Sequence, residues 1–170
     1  MSGKYNINKH LAGMDFSGLD YADKVSLLKE ILDRKIHGIS YSPYMDGQEP
    51  GMEIDAKQID GRLKIIQPYT NWIRTFSCVE GNQHAPALAK KRGLNTMVGV
   101  CLSDERDKNE IEFANGIEIA RHGDADILAV GNEVLLRGEL TEQELIDYIN
   151  RAKQALPGVS VSYVDAYFQF

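Results

Sequence analysis

The chain has no glycine-rich phosphate loop. Neither GxGxxG nor GxxxxGK[ST] occurs anywhere in its 170 residues, which removes the commonest nucleotide-binding readings of an α/β protein. It has two cysteines, Cys78 and Cys101, too few for a disulfide scaffold. Each falls at the end of a predicted strand, so a bridge is conceivable, and two reduced thiols are the simpler expectation. There is no CxxC or HExxH pattern, and His10, His37, His84 and His122 are scattered singly, so no metal site and no cofactor are expected. No window approaches about 18 continuous apolar residues, which gives no candidate transmembrane helix. The N-terminal MSGKYNINKHLAGMDF has no apolar core of a signal peptide. The compartment stays open between the cytoplasm, as the default, and export by a signal outside these residues. Basic charge is also short: the net charge is −6 and the pI is about 5.2, which argues against nucleic acid and anionic membranes as partners.

What remains is an ordinary folded-domain composition, 43% hydrophobic and 26% charged, enough for one core. Residues 20–34 place Val25, Leu28 and Leu32 on one helical face, with Asp20 or Asp23 available as a cap. HGISYSPY (37–44) reads as a strand closed by Pro43, and the following MDGQEPGME as a loop. Ile59, Leu63 and Ile66 predict a helix over 54–66. WIRTFSC (72–78) has strand-like content. A helix over 83–92 tolerates Pro86 in its first turn and ends at Gly93. NTMVGVCL (95–102) is a strand and 105–122 a long amphipathic helix. ADILAVGNEVLL (125–136) is a strand, and Thr141 with Glu144 forms a capping box that opens a helix running to about Leu156. VSVSYVDAYFQF (159–170) is the fifth strand.

Strands alternating with helices imply parallel βαβ units. The missing phosphate loop disfavours a doubly wound sheet. Polar and aromatic residues at the strand ends favour a barrel, where chemistry sits at the C-terminal ends. A closed barrel has eight strands; five are countable here. The expected fold is thus α/β: a partial (β/α) TIM-type barrel of about five parallel strands, helices outside, with a helix in front. It forms a single domain over 1–170 with a flexible stretch at 1–19. The first and fifth strands would be open edges, which invite pairing with a second copy or a complementary half-barrel.

Glu133 stands out. A carboxyl after the apolar strand Ile127–Val130, followed by Val134, Leu135 and Leu136, reads as half-buried. Burial would keep it protonated, as a general acid for a glycosidic leaving group requires. Asn132 beside it can hold a sugar hydroxyl. Tyr41 and Tyr44 can line a sugar subsite or be core residues. Arg74, inside an apolar strand, needs a carboxylate or substrate oxygen as partner. Tyr167, two residues past Asp165 on the fifth strand, points to the same side as Asp165 and can edge the cleft.

VGNEVLLRGELT (130–141) resembles the acid/base segment of glycoside hydrolase family 17, the β-1,3-glucanases and β-1,3-glucanosyltransferases. HGISYSPY, WIRTFSC, LNTMVGVCL and VSVSYVDAYFQF resemble that family's first, second, third and fifth strands. The resemblance implies a (β/α)₈ barrel of the retaining type. In it Glu133 is the acid/base and Asn132 binds the hydroxyl next to the anomeric carbon of a β-glucan oligosaccharide. The family's nucleophile, a second Glu at the seventh strand, has no counterpart among the five strands, so a nearly inactive half-site is expected. Two alternatives stand beside it: a self-associating half-barrel without catalysis, and an unrelated small α/β binding domain.

Overall fold

In the computed structural model, residue 13 and residues 15–169 are described. The stretch expected to be flexible, 1–19, lies mostly outside them. Helix α1 (Tyr21–Asp33) is capped by Asp20, whose carboxylate accepts the N–H of Asp23, and none of its residues is buried. Then come β1 (Ile36–Ser40), α2 (Ala56–Ile66), β2 (Thr70–Arg74), α3 (Ala85–Lys91), β3 (Asn95–Val100), α4 (Arg106–Arg121), β4 (Ile127–Asn132), α5 (Glu142–Ala155) and β5 (Ser160–Val164). A 3₁₀ turn (Asn82–His84) precedes α3, and a second (Tyr167–Gln169) follows β5. The capping box at Thr141 and Glu144 is present. So is the left-handed Gly93 just past α3.

The five strands form one sheet in the order β1-β2-β3-β4-β5, every pair parallel. This is the expected partial barrel. Among the described residues, β1 and β5 each pair on one side alone. Register sorts the side chains, because in-register partners in parallel strands share a face. Ser40, Arg74, Met97, Ile127 and Ser160 form one row and look to the inside of the curve. Their neighbours along the strands, Ile73, Val98, Leu128 and Val130, are sealed against the helices. The helix side carries two clusters. One joins β3–β5 to α4 and α5 through Val98, Leu128, Phe113 and Leu145; the other joins β1 and β2 to α2 and α3 through Ile59, Leu63, Ile73 and Ala89. The inner face is half-exposed at Trp72, Met97 and Ile127.

All five strands end earlier than the sequence suggests, β3 at Val100 rather than 102 among them. β1 stops at Ser40 rather than 44, β2 at Arg74 rather than 78, and β5 at Val164 rather than 170. Aromatic and β-branched residues past these ends, such as Tyr41, Thr75 and Tyr167, belong to loops and a 3₁₀ turn. The strand expected over 125–136 ends at Asn132. Val134 is fully buried in the larger cluster and Leu135 packs against it, so the apolar residues after Glu133 anchor a turn. Both cysteines are free, Cys78 buried and Cys101 exposed.

Candidate active site

The C-terminal end of β4 departs from regular pleating. Ala129 pairs with Ser162 and Asn132 with Val164, so β4 carries one residue more than β5 between these pairs. That is a β-bulge, which bends a strand and re-aims the side chains beyond it. Gly131 makes it possible, with φ of +89°. With strict alternation Asn132 would follow Leu128 and Val130 toward the helices. The extra residue puts it on the inner face instead, level with Val164.

There it meets Arg74, whose Nη2 donates to Asn132 Oδ1. The guanidinium lies over the Phe76 ring, 4.6 Å from its centroid. Burial lowers the Arg74 pKa, and the charge of Glu133 opposes that. Arg74 Nε is buried without a hydrogen-bond partner.

Glu133 follows with a left-handed backbone, φ +55°. Its N–H donates to Val164 O at 2.8 Å, and the N–H of Arg137 closes the turn on Glu133 O at 2.9 Å. The side chain is 48% exposed, with Arg137 Nη1 3.8 Å from Oε2. Arg137 is held more closely by Glu139, at 2.6 Å. The apolar pocket expected around the Glu133 carboxyl is therefore not formed by these residues. Val134 and Leu135 turn into the core and leave the carboxyl facing solvent.

The other sequence candidates separate. Tyr41 is 5% exposed and belongs to the smaller core cluster. Its hydroxyl donates to Ile59 O at 3.2 Å, and burial pushes its pKa up to about 12. Tyr44 is half-buried and accepts a 3.4 Å contact from Asn82 Nδ2. Tyr167 is 88% exposed. It lies on the 3₁₀ turn past β5, edge-on to Phe168, so the alternation that paired it with Asp165 does not apply.

Two braces escaped the sequence reading. Tyr163 OH accepts the Leu135 N–H at 3.2 Å and donates to Asp165 Oδ2; that oxygen also takes the Leu136 N–H at 3.4 Å, while Oδ1 takes the Ala166 N–H at 2.7 Å. Burial would raise the Asp165 pKa, but the Tyr163 hydroxyl and these N–H groups outweigh it and hold the carboxyl below its ordinary value. The turn that carries Glu133 is thereby fastened to β5. On the other side, the buried Glu112 of α4 binds Ser77 Oγ and the N–H groups of Cys78 (2.7 Å) and Cys101 (3.3 Å). It ties the loops after β2 and β3 together. Burial raises its pKa, against the pull of these hydrogen bonds. The signal was present: Asn109 and Glu112 fall on the same helical face as Phe113, Gly116, Ile117 and Ala120, all buried.

Among the described residues no group of His, Cys, Asp and Glu could hold a metal ion, and no helix is long and apolar enough to cross a membrane. The fold is similar to the glycoside hydrolase family 17 β-1,3-glucanosyltransferase of Rhizomucor miehei, at 27% identity and a TM-score of 0.68. An active-site mutant of that enzyme in complex with laminaritriose gives 28% and 0.67. Each comparison covers 81% of this chain and 52% of the other, so the chain spans about half the length of these relatives. An endo-laminarinase from Formosa Hel1_33_131 shares the fold at 16% identity and a TM-score of 0.64, over 81% of this chain and 44% of that one. No curated protein sequence matches. The model of the BtgE/BtgC glycoside hydrolase domain matches residues 38–167, which take in the C-terminal end of every strand, and this chain belongs to that family.

Proposed function

We propose that this chain supplies the acid/base half of a retaining site that acts on β-1,3-linked glucan. Glu133 protonates the glycosidic oxygen as the C–O bond breaks. It then takes a proton from the acceptor, either water or a second sugar. Asn132 has its Oδ1 engaged by Arg74, which leaves its amide N–H groups to donate to the hydroxyl beside the anomeric carbon. Tyr44, Arg74 and Tyr167 edge the subsites, with Tyr41 behind them as packing. The observation that carries this reading is the grouping of Arg74, Asn132 and Glu133 at the C-terminal strand ends of a glycoside hydrolase domain, the end at which barrels place their chemistry. The Rhizomucor miehei enzyme's complex with laminaritriose supports a β-glucan oligosaccharide as ligand.

Retaining chemistry needs a second carboxyl about 5–5.5 Å away. Asp165 is a poor nucleophile, since both of its oxygens are engaged in fastening the Glu133 turn. The nucleophile is assigned to a carboxylate beyond β1–β5, and these five strands alone turn over little or no glucan. Joining strands six to eight of a family 17 enzyme should create laminarin turnover. Glu133→Gln should then remove it by about 10²–10⁴-fold. A folded, complemented protein that stays inert, or a Glu133→Gln variant that keeps full activity, refutes the assignment.

The edges of β1 and β5, unpaired among the described residues, and the half-exposed inner face favour a second reading, a half-barrel that self-associates without catalysis. Dimers or larger species on size-exclusion chromatography support it, and a stable monomer counts against it.

A further inference from the structure

Among the described residues Glu112 is the one charged side chain that is buried, at 5% exposure, and the reaction above does not use it. On the strength of the glucan reading for what Asn132 holds, we propose that Glu112 is a positioning residue of the site. It sets the Asn132 side chain from α4, through the loop after β2 and through Arg74.

The grip starts on one helical face, where Glu112 and Asn115 are three residues apart. Glu112 Oε2 takes the Cys78 N–H at 2.7 Å, and Asn115 Nδ2 donates to Cys78 O at 2.9 Å. Cys78 is thus held at both its N–H and its C=O. Glu112 Oε1 accepts the Ser77 hydroxyl, and Oε2 also takes the Cys101 N–H at 3.3 Å, so the chain itself occupies both oxygens. The helix is a fixed reference for this grip. An added Cβ at Gly116 would lie 2.5 Å from Val100 Cγ2 and 3.5 Å from Cys78 Sγ, so α4 is seated tightly against β3 and the loop.

Phe76 stands two residues before Cys78. Its ring is 39% exposed, so packing alone does not fix it, and its backbone has to. That backbone runs between the grip on Ser77 and Cys78 and the close approach of β3. An added Cβ at Gly99 would come within 2.4 Å of Thr75 O and 3.0 Å of Phe76 Cα. The Arg74 guanidinium rests on the Phe76 ring, 4.6 Å from its centroid, and donates to Asn132 Oδ1. The hold on Cys78 therefore reaches Asn132 through two further contacts.

Burial raises the Glu112 pKa against the pull of its hydrogen bonds, and Glu80 adds like charge. The loops therefore use Glu112 as an acceptor and do not need its charge. Glutamine can take its place, with Oε1 accepting both N–H groups and Nε2 donating to Ser77 Oγ. Alanine leaves two backbone N–H groups without a partner, and the loop must shift to satisfy them.

The test is side-chain NMR on the protein as it stands. Glu112→Ala should shift or broaden the Asn132 amide pair and the Arg74 Nε–H signal, and Glu112→Gln should restore both. Phe113→Leu, next on the same helix but packed on Tyr148, should lower stability and leave both signals in place. Laminaripentaose binding by calorimetry should weaken about tenfold in Glu112→Ala, the worth of one hydrogen bond, and recover in Glu112→Gln. Wild-type Asn132 signals in a folded Glu112→Ala overturn the positioning role. So does an equal disturbance in Phe113→Leu, or a Glu112→Gln variant disturbed as far as Glu112→Ala. If Glu112→Ala does not fold, Asn115→Ala opens the other side of the same grip, and unmoved Asn132 signals there overturn the role. If the wild type does not bind laminaripentaose, the glucan reading falls, and the Asn132 signals alone decide the positioning.

Discussion

Replacing Gly131 by alanine tests whether the bulge aims Asn132. Gly131 has φ of +89°, and a side-chain-bearing residue held in such a region costs about 1–3 kcal/mol. Space is short as well. An added Cβ would lie 3.3 and 3.4 Å from two carbons of the Tyr163 ring and 3.4 Å from Leu145 Cδ1. Leu145 is 3% exposed and Tyr163 packs on the same cluster, so neither yields easily, and the total falls in the upper part of that range, about 2–3 kcal/mol. In a chain of this size each kcal/mol lowers the melting point by about 2–4 °C, giving a drop of roughly 4–12 °C. The strand can relieve the strain by shedding the bulge, which rotates Asn132 toward the helices and breaks its bond to Arg74. Thermal unfolding by circular dichroism reads the first effect, and the Asn132 side-chain amide resonances read the second. A melting point within about 1 °C of wild type, with unchanged Asn132 resonances, refutes the reasoning.

Glu112 makes a pH prediction. Its folded pKa lies above the ordinary 4.5, chiefly through burial, so its contribution is fully present below about 4.5 and fades as pH rises through the raised value. Glu80 faces it with like charge, and the Cys78 thiol, itself raised by burial, stays neutral through this window. Glu112→Gln keeps an acceptor for the two N–H groups and cannot ionise. Its urea midpoint should therefore gain on wild type as pH rises above about 4.5, and a constant difference counts against this. Glu110 behaves oppositely. The Arg151 guanidinium, helped by Tyr148 OH, holds it at about 2 against burial, so its contribution is present above 4.5 and is lost as pH falls toward 2. Both partners are about half-exposed, which limits the pair to about 1 kcal/mol or less. The stability lost in Glu110→Gln should shrink between about pH 6 and pH 2 in thermal melts, and an undiminished loss at low pH contradicts the pairing.

The alternation of elements was legible because each helix stripe and strand run obeys its own period. Helix starts were sharp where chemistry marks them, as at Asp20 and Thr141. Strand ends were not, because Val134 and Leu135 are apolar for reasons of turn packing, which a local pattern cannot tell from strand burial. The site shows the same division. Position at the end of β4 singled out Asn132 and Glu133. The carboxyl's exposure was missed, because it depends on a left-handed residue after a bulge. Nothing in ADILAVGNEVLL states that Ala129 and Asn132 lie opposite residues only two apart. The Tyr163–Asp165 brace likewise joins residues that meet only after β5 is laid beside β4.

The spatial order of the strands is also their order along the chain. Each unit adds to the edge left by the one before, as Thr70 opposite Ile36 and Ile127 opposite Met97 illustrate. A polypeptide emerging from the ribosome can therefore grow this sheet vectorially, with no strand required to insert between two already paired. At every step one fresh edge of unsatisfied N–H and C=O groups awaits the next unit. The hazard of mispairing is accordingly spread evenly over synthesis, and the rate at which each crossover helix docks sets how long each edge stays bare.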